Sequence, residues 1–364
     1  MESDKAPKPG DMDAVPAGCA GTPAPRAQGD AAFVPVQLAS LRVDTVPGFD
    51  LYLRTRTGRM ALYQKGDVSF REEHRQRLRD HSVEELYVSA ADRKQCLRYL
   101  EGHLDDVLRN EMVPPPERAK ILYSSASMLI QDVFADPAVG SSIARAHAFV
   151  GSTVDYLFRK AEHFTDLLDI MSFDYHTYTH SVNVCVFGVA LGRRLGYGQR
   201  ELNRLGAGLL LHDTGKARID PAILAKRGKL TTAEWEIIKT HPARGVELLQ
   251  QAGGVEPDSL LVVLQHHEKC SGGGYPAGLT EGQIHSFAKI AAVADVFDAL
   301  TTERSYKRAV ASFPALRTMQ AEMADAFDRT ILRELILLLH RSQGRVDQLG
   351  GEAPGSDQQG NAAA

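Results

Sequence analysis

The sequence predicts a mainly α-helical protein with a small α/β domain ahead of the helices. Across residues 117–341, apolar residues recur at three- and four-residue spacing, as at Leu202, Leu205 and Leu209, which is the period of one helix face. Between residue 33 and about residue 100, shorter stretches alternate with a period of two, as β-strands do. A chain of 364 residues is long enough for two domains of ordinary size.

The two ends of the chain differ in composition from everything between them. Both are rich in Pro, Ala, Gly and polar residues, and they carry too few large apolar side chains to offset the entropy of ordering. The predicted segments are a disordered leader (1–32), a small α/β domain (33–110), an all-α domain (117–342) and a disordered tail (343–364).

The elements of the small domain have local signals. Alternating runs around Leu51 and Met60 flank Thr57-Gly58, which predicts a β-hairpin. Helices are expected from Glu72 and from Ala91. We find no catalytic constellation in these residues, so a sensory or partner-binding module is the prediction.

Composition excludes several classes of protein. The net charge of −4, with no strongly basic half, disfavours a protein that coats a nucleic acid polymer. The four cysteines are scattered singly and no signal-like leader is present, which predicts a reduced, cytoplasmic protein. No apolar run approaches the roughly 20 residues of a membrane span, so any membrane association is expected through a partner.

Histidines and aspartates recur along the all-α domain at regular intervals. Successive sites lie 25 to 32 residues apart, about the length of one helix out and a second helix back. These residues are expected to return to one level of a helical bundle: His180, His212, Asp213, His241, His266, His267 and Asp295.

The helical pattern places several of these side chains on apolar faces. His212 follows Leu205 and Leu209 by seven and three residues, and His267 stands in the same relation to Leu260 and Leu264. Both side chains are therefore predicted to lie on the apolar faces of their helices and to point inward.

The chemistry of these residues indicates metal binding. Asp295 lies in an apolar stretch, where a carboxylate is costly to bury without a cation or several donors. A set of imidazoles and carboxylates without thiolate suits iron, manganese or nickel. With Asp213 able to bridge, there are enough ligands for two metals, which favours a hydrolytic centre.

The same residues fall in sequence blocks that occur in a fixed order. The blocks are T-H-S-V-N-V (179–184), H-D-T-G-K (212–216), H-P (241–242), H-H-E (266–268), G-Y-P (274–276) and the segment 295–307. Over roughly residues 140 to 340 the chain resembles the HD-GYP family of cyclic di-GMP phosphodiesterases, within the HD superfamily of phosphohydrolases. The resemblance implies a helical HD-type bundle.

The resemblance also implies how the metal ligands are shared. One metal would lie among His180, His212, Asp213 and Asp295, and the second among Asp213, His241, His266 and His267. Some family members hold a third metal with an acidic residue one helical turn before the first histidine. His176 occupies that position here, so it is a candidate ligand, and the sequence leaves open whether two or three metals bind. The expected metals are Fe or Mn.

The remaining blocks supply candidates for catalysis and substrate binding. Lys216 is placed one turn after the His212-Asp213 pair, where it can serve the leaving ribose oxygen. By resemblance, Gly274, Tyr275, Arg304 and Lys307 bind substrate, with the cations holding its phosphates.

The sequence departs from the family pattern at two positions, and two further histidines have predictable local roles. Ser271 and Ser305 replace residues that are often Asp and Pro in the family. His241, before Pro242, is expected to end a helix that starts at the Thr231-x-x-Glu234 capping box. His285, just outside the blocks, is predicted to be structural.

The leading functional prediction is an enzyme that linearises cyclic di-GMP to pGpG, with GMP as a further product. Another cyclic dinucleotide, such as cyclic GMP-AMP, is an open alternative. A third is a receptor or scaffold without turnover, which binds the dinucleotide or a diguanylate cyclase partner and signals through the N-terminal domain. A di-iron oxygenase is disfavoured by the G-Y-P loop and the phosphate-facing cations.

Overall fold

The computed structural model describes residues 33–138, 140–160, 162–171, 177–226, 228–302 and 311–349. Its strands are β1 (Phe33–Gln37), β2 (Leu51–Arg54), β3 (Met60–Gln64) and β4 (Glu85–Ser89). Its helices are α1 (Glu72–Asp80), α2 (Arg93–Arg109), α3 (Pro115–Ala135), α4 (Gly140–Arg159), α5 (Glu162–Ile170), α6 (Thr177–Arg194), α7 (Gln199–Leu211), α8 (Pro221–Leu224), α9 (Thr232–Ile238), α10 (His241–Ala252), α11 (Pro257–Gln265), α12 (Ser286–Thr301), α13 (Ser312–Glu322) and α14 (Arg329–Leu349). The chain is thus mainly α-helical, as predicted.

The strands form one antiparallel sheet in the order β1-β4-β2-β3. The predicted hairpin is confirmed, because β2 and β3 pair across a tight turn in which the Gly58 amide donates to the Thr55 carbonyl at 2.9 Å. Gly58 has a φ of +82°, a conformation that glycine adopts without steric cost. Of the two predicted helices, one begins at Glu72, while the other begins at Arg93 after a short 3-10 turn.

The sheet, with α1 and α2, encloses an apolar core. Leu86 and Val88 of β4 and Leu97 of α2 are completely buried, and Phe70 and Leu78 complete the same cluster. We call the region formed by β1 to β4, α1 and α2, residues 33–109, the sheet domain.

The chain divides into two compact units, and the first extends beyond the sheet domain through α5. Ion pairs join α2 to α3 and α4 to both of these helices. Arg93 binds Asp132, and Arg145 binds both Glu101 at 2.9 Å and Asp132 at 3.1 Å. These contacts explain why the first unit does not end at residue 110, the predicted domain boundary.

The second unit is built mainly from the later helices, with α6 and α10 contributing residues to both units. Within it, α7 and α11 approach closely at Gly208, where a Cβ atom would lie 2.7 Å from Val262 Cβ and 2.8 Å from the Ser259 carbonyl. Glycine is therefore required for this packing. A histidine follows the last residue of each of these two helices.

Two predictions about helices differ from the structure. The buried face of α11 is not the predicted one that carries Leu260 and Leu264. Val262 and Val263 are completely buried, whereas Leu260 and Leu264 are half-buried. The close approach at Gly208 selects the small β-branched face of the helix. At the other end, α14 continues to Leu349, so residues 343–349 are helical and not part of a disordered tail.

In the part of the chain that the structure describes after Ser89, the backbone forms no strand beyond an isolated bridge between Ser271 and Thr280. Among the described helices, none combines the length and the apolar character needed to cross a membrane.

Candidate metal centre

Four of the predicted histidine ligands lie at or next to helix ends. His212 is the C-terminal cap of α7 and His266 that of α11, with His267 one residue further along. His241 is the first residue of α10, so the expectation that it ends the preceding helix is wrong. Pro242 explains this position, because proline is tolerated in the first turn of a helix, where its missing N–H has no intrahelical acceptor.

Three of these histidines share one local geometry. The Nδ1 atoms of His212, His241 and His266 lie 2.7, 2.9 and 2.9 Å from backbone carbonyl oxygens three residues earlier in the chain. A carbonyl oxygen can only accept, so each Nδ1 must carry the proton and donate it. The lone pair of each neutral imidazole is then on Nε2, the atom that faces the interior of the site. Metal-binding histidines are oriented in this way by the bond of their other ring nitrogen.

The Asp213 carboxylate lies between these imidazoles. Its Oδ1 is 3.3 Å from His241 Nε2 and 4.0 Å from His266 Nε2. Its Oδ2 is 3.4 Å from His212 Nε2 and 2.5 Å from Lys216 Nζ. One oxygen thus faces each of two histidine sets, which is the arrangement of a bridging ligand.

Two groups of side chains have the spacing of metal ligands. His241, His266 and His267 form one, and His180, His212 and Asp213 form the other, with the ligand atoms of each group within 4.8 Å of one another. All six residues are among the predicted ligands.

The seventh predicted ligand, Asp295, lies in α12. It is buried, and its Oδ2 is 3.6 Å from His267 Nδ1. Asp295 therefore lies beside the His241, His266 and His267 group, whereas the resemblance assigns it to the metal of the other group.

Burial keeps His266 and His267 neutral, the form that binds a metal. It lowers the pKa of His266 well below its ordinary value and that of His267 to about 3, and neighbouring histidines add to both shifts. For Asp213, burial raises the pKa, but the Lys216 ammonium and contacts with His212 and His241 outweigh it, so the pKa is well below its ordinary value. An ionised carboxylate among neutral imidazoles is a donor set for a divalent cation.

These residues fit divalent metals. A buried carboxylate is costly without a compensating cation, and the ammonium group of Lys216 contacts Oδ2 of Asp213. The donors are imidazole nitrogens and carboxylate oxygens, which suit iron, manganese, nickel or zinc. Two ligand groups that share one carboxylate have the form of a two-metal site.

Glu268, in the H-H-E block, holds the G-Y-P loop, a role that the sequence did not reveal. Its buried carboxylate accepts hydrogen bonds from the backbone amides of Ala277 at 2.7 Å and Leu279 at 2.9 Å. Gly274 packs against the same segment, since a Cβ atom there would lie 2.4 Å from Glu268 Cα. Glu268, the third residue of the H-H-E block, thus holds the G-Y-P loop in place. A glutamate directly after two ligands was the available signal.

The anchored loop places Tyr275 beside the ligands. Its ring centroid is 4.7 Å from that of His267 and 6.4 Å from that of His241, and burial raises the pKa of the phenol. The hydroxyl therefore stays protonated at neutral pH and can donate a hydrogen bond. The loop thus brings Tyr275 close to the candidate metal ligands, and its role in substrate binding stays a prediction.

A second buried aspartate braces the helices that carry two ligands. Asp298 Oδ1 accepts from Asn183 Nδ2 at 2.7 Å and from Thr302 Oγ1 at 3.1 Å. This contact joins α6 to α12, the helices of His180 and Asp295 respectively. The signal for Asp298 was a second carboxylate three residues after Asp295 in an apolar helix.

One further predicted position, His285, lies within the described residues, and several others do not. His285 is the N-terminal cap of α12, where its side chain accepts from the Phe287 amide, in agreement with a structural role. His176, Arg304 and Lys307, together with Ser305, lie outside the described residues.

Comparison with known proteins places this site in a family. The model of the HD domain matches residues 169–331. A cyclic di-GMP phosphodiesterase of Pseudomonas aeruginosa is 32% identical over 274 residues, which cover 72% of this chain and 66% of that protein. The chain belongs to the HD-GYP family.

Other similar proteins agree with an HD-GYP assignment. A cyclic di-GMP phosphodiesterase response regulator of Xanthomonas campestris is 37% identical over 164 residues, 44% of this chain and 42% of the relative. Among solved structures, an HDG"Y"P protein from Bdellovibrio bacteriovorus matches with a TM-score of 0.61 and 21% identity, covering 85% of this chain and all of that chain. That structure supports the fold. This HD-GYP chain spans about two thirds of the first of these relatives and less than half of the second.

Proposed function

We propose that this protein is a metal-dependent phosphodiesterase that hydrolyses cyclic di-GMP to pGpG, with GMP as a further product. The observation that carries the proposal is the position of Asp213, whose two carboxylate oxygens face two separate sets of histidines. Relatives that are named cyclic di-GMP phosphodiesterases support the choice of substrate. Such an activity would lower the concentration of a bacterial second messenger.

The proposed cofactor is a pair of divalent ions, Fe or Mn. His180, His212, Asp213 and Asp295 would hold one, and Asp213, His241, His266 and His267 the other. The contact of Asp295 with His267 places it near the second set as well. His176 would supply a ligand for a third ion. When bound, the ions would activate a water molecule and neutralise charge on the phosphate oxygens.

The protein's own groups have separate proposed roles. Lys216 Nζ, beside Asp213 Oδ2, would donate a proton to the leaving ribose 3′-oxygen. Gly274, which brings the backbone close, and Tyr275 would contact the nucleotide, and Arg304 and Lys307 would bind its phosphates. Arg304→Ala is expected to raise KM by roughly tenfold or more while metal content stays unchanged, which steady-state kinetics and elemental analysis would measure.

The deciding experiment uses protein purified with its native metal. Metal content is measured, and cyclic di-GMP and cyclic GMP-AMP are followed by chromatography. We expect about two metal ions per chain and conversion of cyclic di-GMP to pGpG and GMP. A protein with two metals bound that hydrolyses neither dinucleotide would overturn the enzymatic proposal and leave a receptor or scaffold role.

A second candidate substrate is cyclic GMP-AMP. A 3′3′-cGAMP-specific phosphodiesterase of Vibrio cholerae is 36% identical over 155 residues, 42% of this chain and 33% of that protein. The ratio of kcat/KM for the two dinucleotides decides between them. We also propose the sheet domain as a sensory module or a surface for a signalling partner such as a diguanylate cyclase.

A further inference from the structure

Trp235 is a large aromatic side chain exposed beside the metal centre. It is the single tryptophan of the chain, lies on α9 and is 45% exposed. Its ring centroid is 6.1 Å from that of Tyr275, with an angle of 79° between the ring planes. Tryptophan usually buries most of its area, so this exposure next to a loop that contacts the metal ligands requires an explanation.

The backbone around Trp235 is fixed on both sides. Before it, the Thr231 hydroxyl accepts from the Glu234 amide at 3.2 Å, and Glu234 Oε2 accepts from the Thr231 amide at 2.7 Å. Lys226 binds both oxygens of Glu234 at 2.8 and 2.7 Å. After it, the Lys239 amide donates to the Trp235 carbonyl at 3.0 Å. The exposed ring therefore projects from a well-braced turn of helix.

The turn that carries Trp235 is linked to the metal centre through the residues that follow it in the sequence. A turn closed by the Thr240 amide and the Ile237 carbonyl leads directly into His241, the first residue of α10. Tyr275 approaches from the other direction, on the loop that Glu268 holds. Two separately anchored elements thus bring Trp235 and Tyr275 together at the edge of the site.

The geometry of the pair leaves an aromatic surface available. In an edge-to-face contact, the rings meet through one edge and one face, so the indole keeps a face that Tyr275 does not cover. A base stacks on such a face without regard to its hydrogen-bonding pattern. In a cyclic dinucleotide each base is joined to the phosphates through one sugar, so a dinucleotide with a phosphate at the metal ligands would hold its bases about one sugar away from them.

We propose that Trp235 is a substrate-contact residue on which one purine base of the cyclic dinucleotide stacks. The inference rests on the proposed function, because it takes the phosphate position from the metal centre. It adds a contact on α9, outside the residues that the family motif supplies. Stacking on an indole is expected to strengthen binding of purine nucleotides in general, whereas the discrimination between guanine and adenine would come from other groups.

Kinetics of three variants test the contact. Trp235→Leu keeps an apolar side chain but removes the aromatic face, and should raise KM for cyclic di-GMP roughly 5- to 100-fold with kcat changed by less than about threefold. Trp235→Phe keeps a stacking face and should restore most of the loss. Ile237→Ala is the matched control, an exposed apolar residue on the same helix that is expected to leave KM unchanged. Metal content should equal that of the wild type in all three.

Tryptophan fluorescence provides a test that does not need turnover. Because Trp235 is the only tryptophan, the intrinsic emission reports on this ring alone. Titration of the metal-loaded wild type with GMP should quench the emission, whereas ribose 5-phosphate, which has a phosphate and no base, should not.

The outcomes separate the two proposals. If the wild type hydrolyses cyclic di-GMP but Trp235→Leu has an unchanged KM, or loses kcat together with metal, the stacking inference is wrong and the proposed function stands. If the wild type hydrolyses no dinucleotide, the proposed function fails, and the fluorescence titration decides the contact. Quenching by GMP alone supports stacking, and equal quenching by both ligands or none overturns it.

Discussion

The sheet domain and the metal-ligand region, residues 177–302, are stabilised by different kinds of interior. The sheet domain encloses apolar residues such as Leu86 and Leu97, all withdrawn from water. The metal-ligand region buries His212, Asp213 and His266, whose transfer from water costs free energy unless a partner compensates. Burial stabilises the first region, whereas in the second it prepares side chains to bind cations. Substitutions should therefore separate stability from function according to region.

The largest expected effect is in the metal-ligand region, at the carboxylate that both histidine sets share. Asp213→Ala should abolish metal retention and lower turnover by about a thousandfold or more, because both proposed metals lose a ligand. Elemental analysis and cyclic di-GMP turnover measure the two losses, and circular dichroism checks that the helices remain. An active, metal-loaded Asp213→Ala protein would contradict the bridging role.

The sheet domain should show the opposite behaviour. Leu86→Ala creates a cavity in a completely buried position and should lower the free energy of unfolding by about 2–5 kcal/mol. Turnover per folded molecule should not change. Chemical denaturation followed by circular dichroism measures the loss.

Leu62→Ala is the matched control for Leu86→Ala, since Leu62 lies on the same sheet but is exposed. It should change stability by less than about 0.5 kcal/mol. If the Leu86→Ala protein folded with full stability but lost turnover, the separation of roles between the regions would be wrong.

An intermediate effect is expected at Glu268, whose carboxylate holds the backbone of the G-Y-P loop in the metal-ligand region. In Glu268→Gln, one of the two acceptors for the Ala277 and Leu279 amides becomes an amide nitrogen, which cannot accept. The loop that carries Tyr275 should loosen, and KM should rise about tenfold while metal content is retained. Steady-state kinetics with elemental analysis tests this.

Glu281→Gln, an exposed change in the same loop, serves as the control for Glu268. It should leave both KM and metal content at wild-type values. Loss of metal in Glu268→Gln would show that the residue supports the ligands themselves and not the loop alone.

The smallest effect concerns a histidine of the sheet domain that binds no metal in our proposal. His74 Nδ1 accepts from the Arg71 amide at the start of α1, and burial lowers its pKa, with nearby Arg77 adding to the shift. Because the folded pKa is below 6.5, the unfolded state takes up the proton first. The contribution of His74 to the free energy of unfolding is therefore fully present above about pH 6.5, and it is lost as the pH falls below that value.

His74→Gln keeps an acceptor at this position of the helix and removes the titration. The variant should lose less free energy of unfolding than the wild type between pH 6.5 and lower pH, by less than about 1 kcal/mol, with turnover unchanged. Denaturation curves at a series of pH values measure the slope. Equal slopes in both proteins would remove His74 as the cause.

Much of the ligand set was predictable because its signals are local. The spacing of His180, His212 and His241 matches helix lengths, and the family resemblance supplies the full set of predicted ligands. The family assignment is confirmed by the comparisons, and six of the predicted ligands lie in two compact groups. The roles of His176, Arg304 and Lys307 remain predictions, because they lie outside the described residues.

Errors arose where local rules compete. The bias of a residue before proline away from helix suggested that His241 ends a helix, yet the first helical position tolerates that neighbour. Apolar spacing predicted that His212 and His267 lie on the apolar faces of their helices, and the structure adds that His212 caps the C-terminal end of α7 and that His267 lies beyond the end of α11. Periodicity gives the face of a helix but does not locate its last residue.

The sequence by itself determined the mainly helical fold, the hairpin and the set of candidate metal ligands, because periodicity, turn residues and donor types are read from neighbouring residues. Only the tertiary structure decided which oxygen of Asp213 faces which histidines, that Glu268 anchors the loop of Tyr275, and that Trp235 projects beside it. Each of these depends on contacts between segments far apart in the chain, and their geometry is set by how the helices pack rather than by any local pattern.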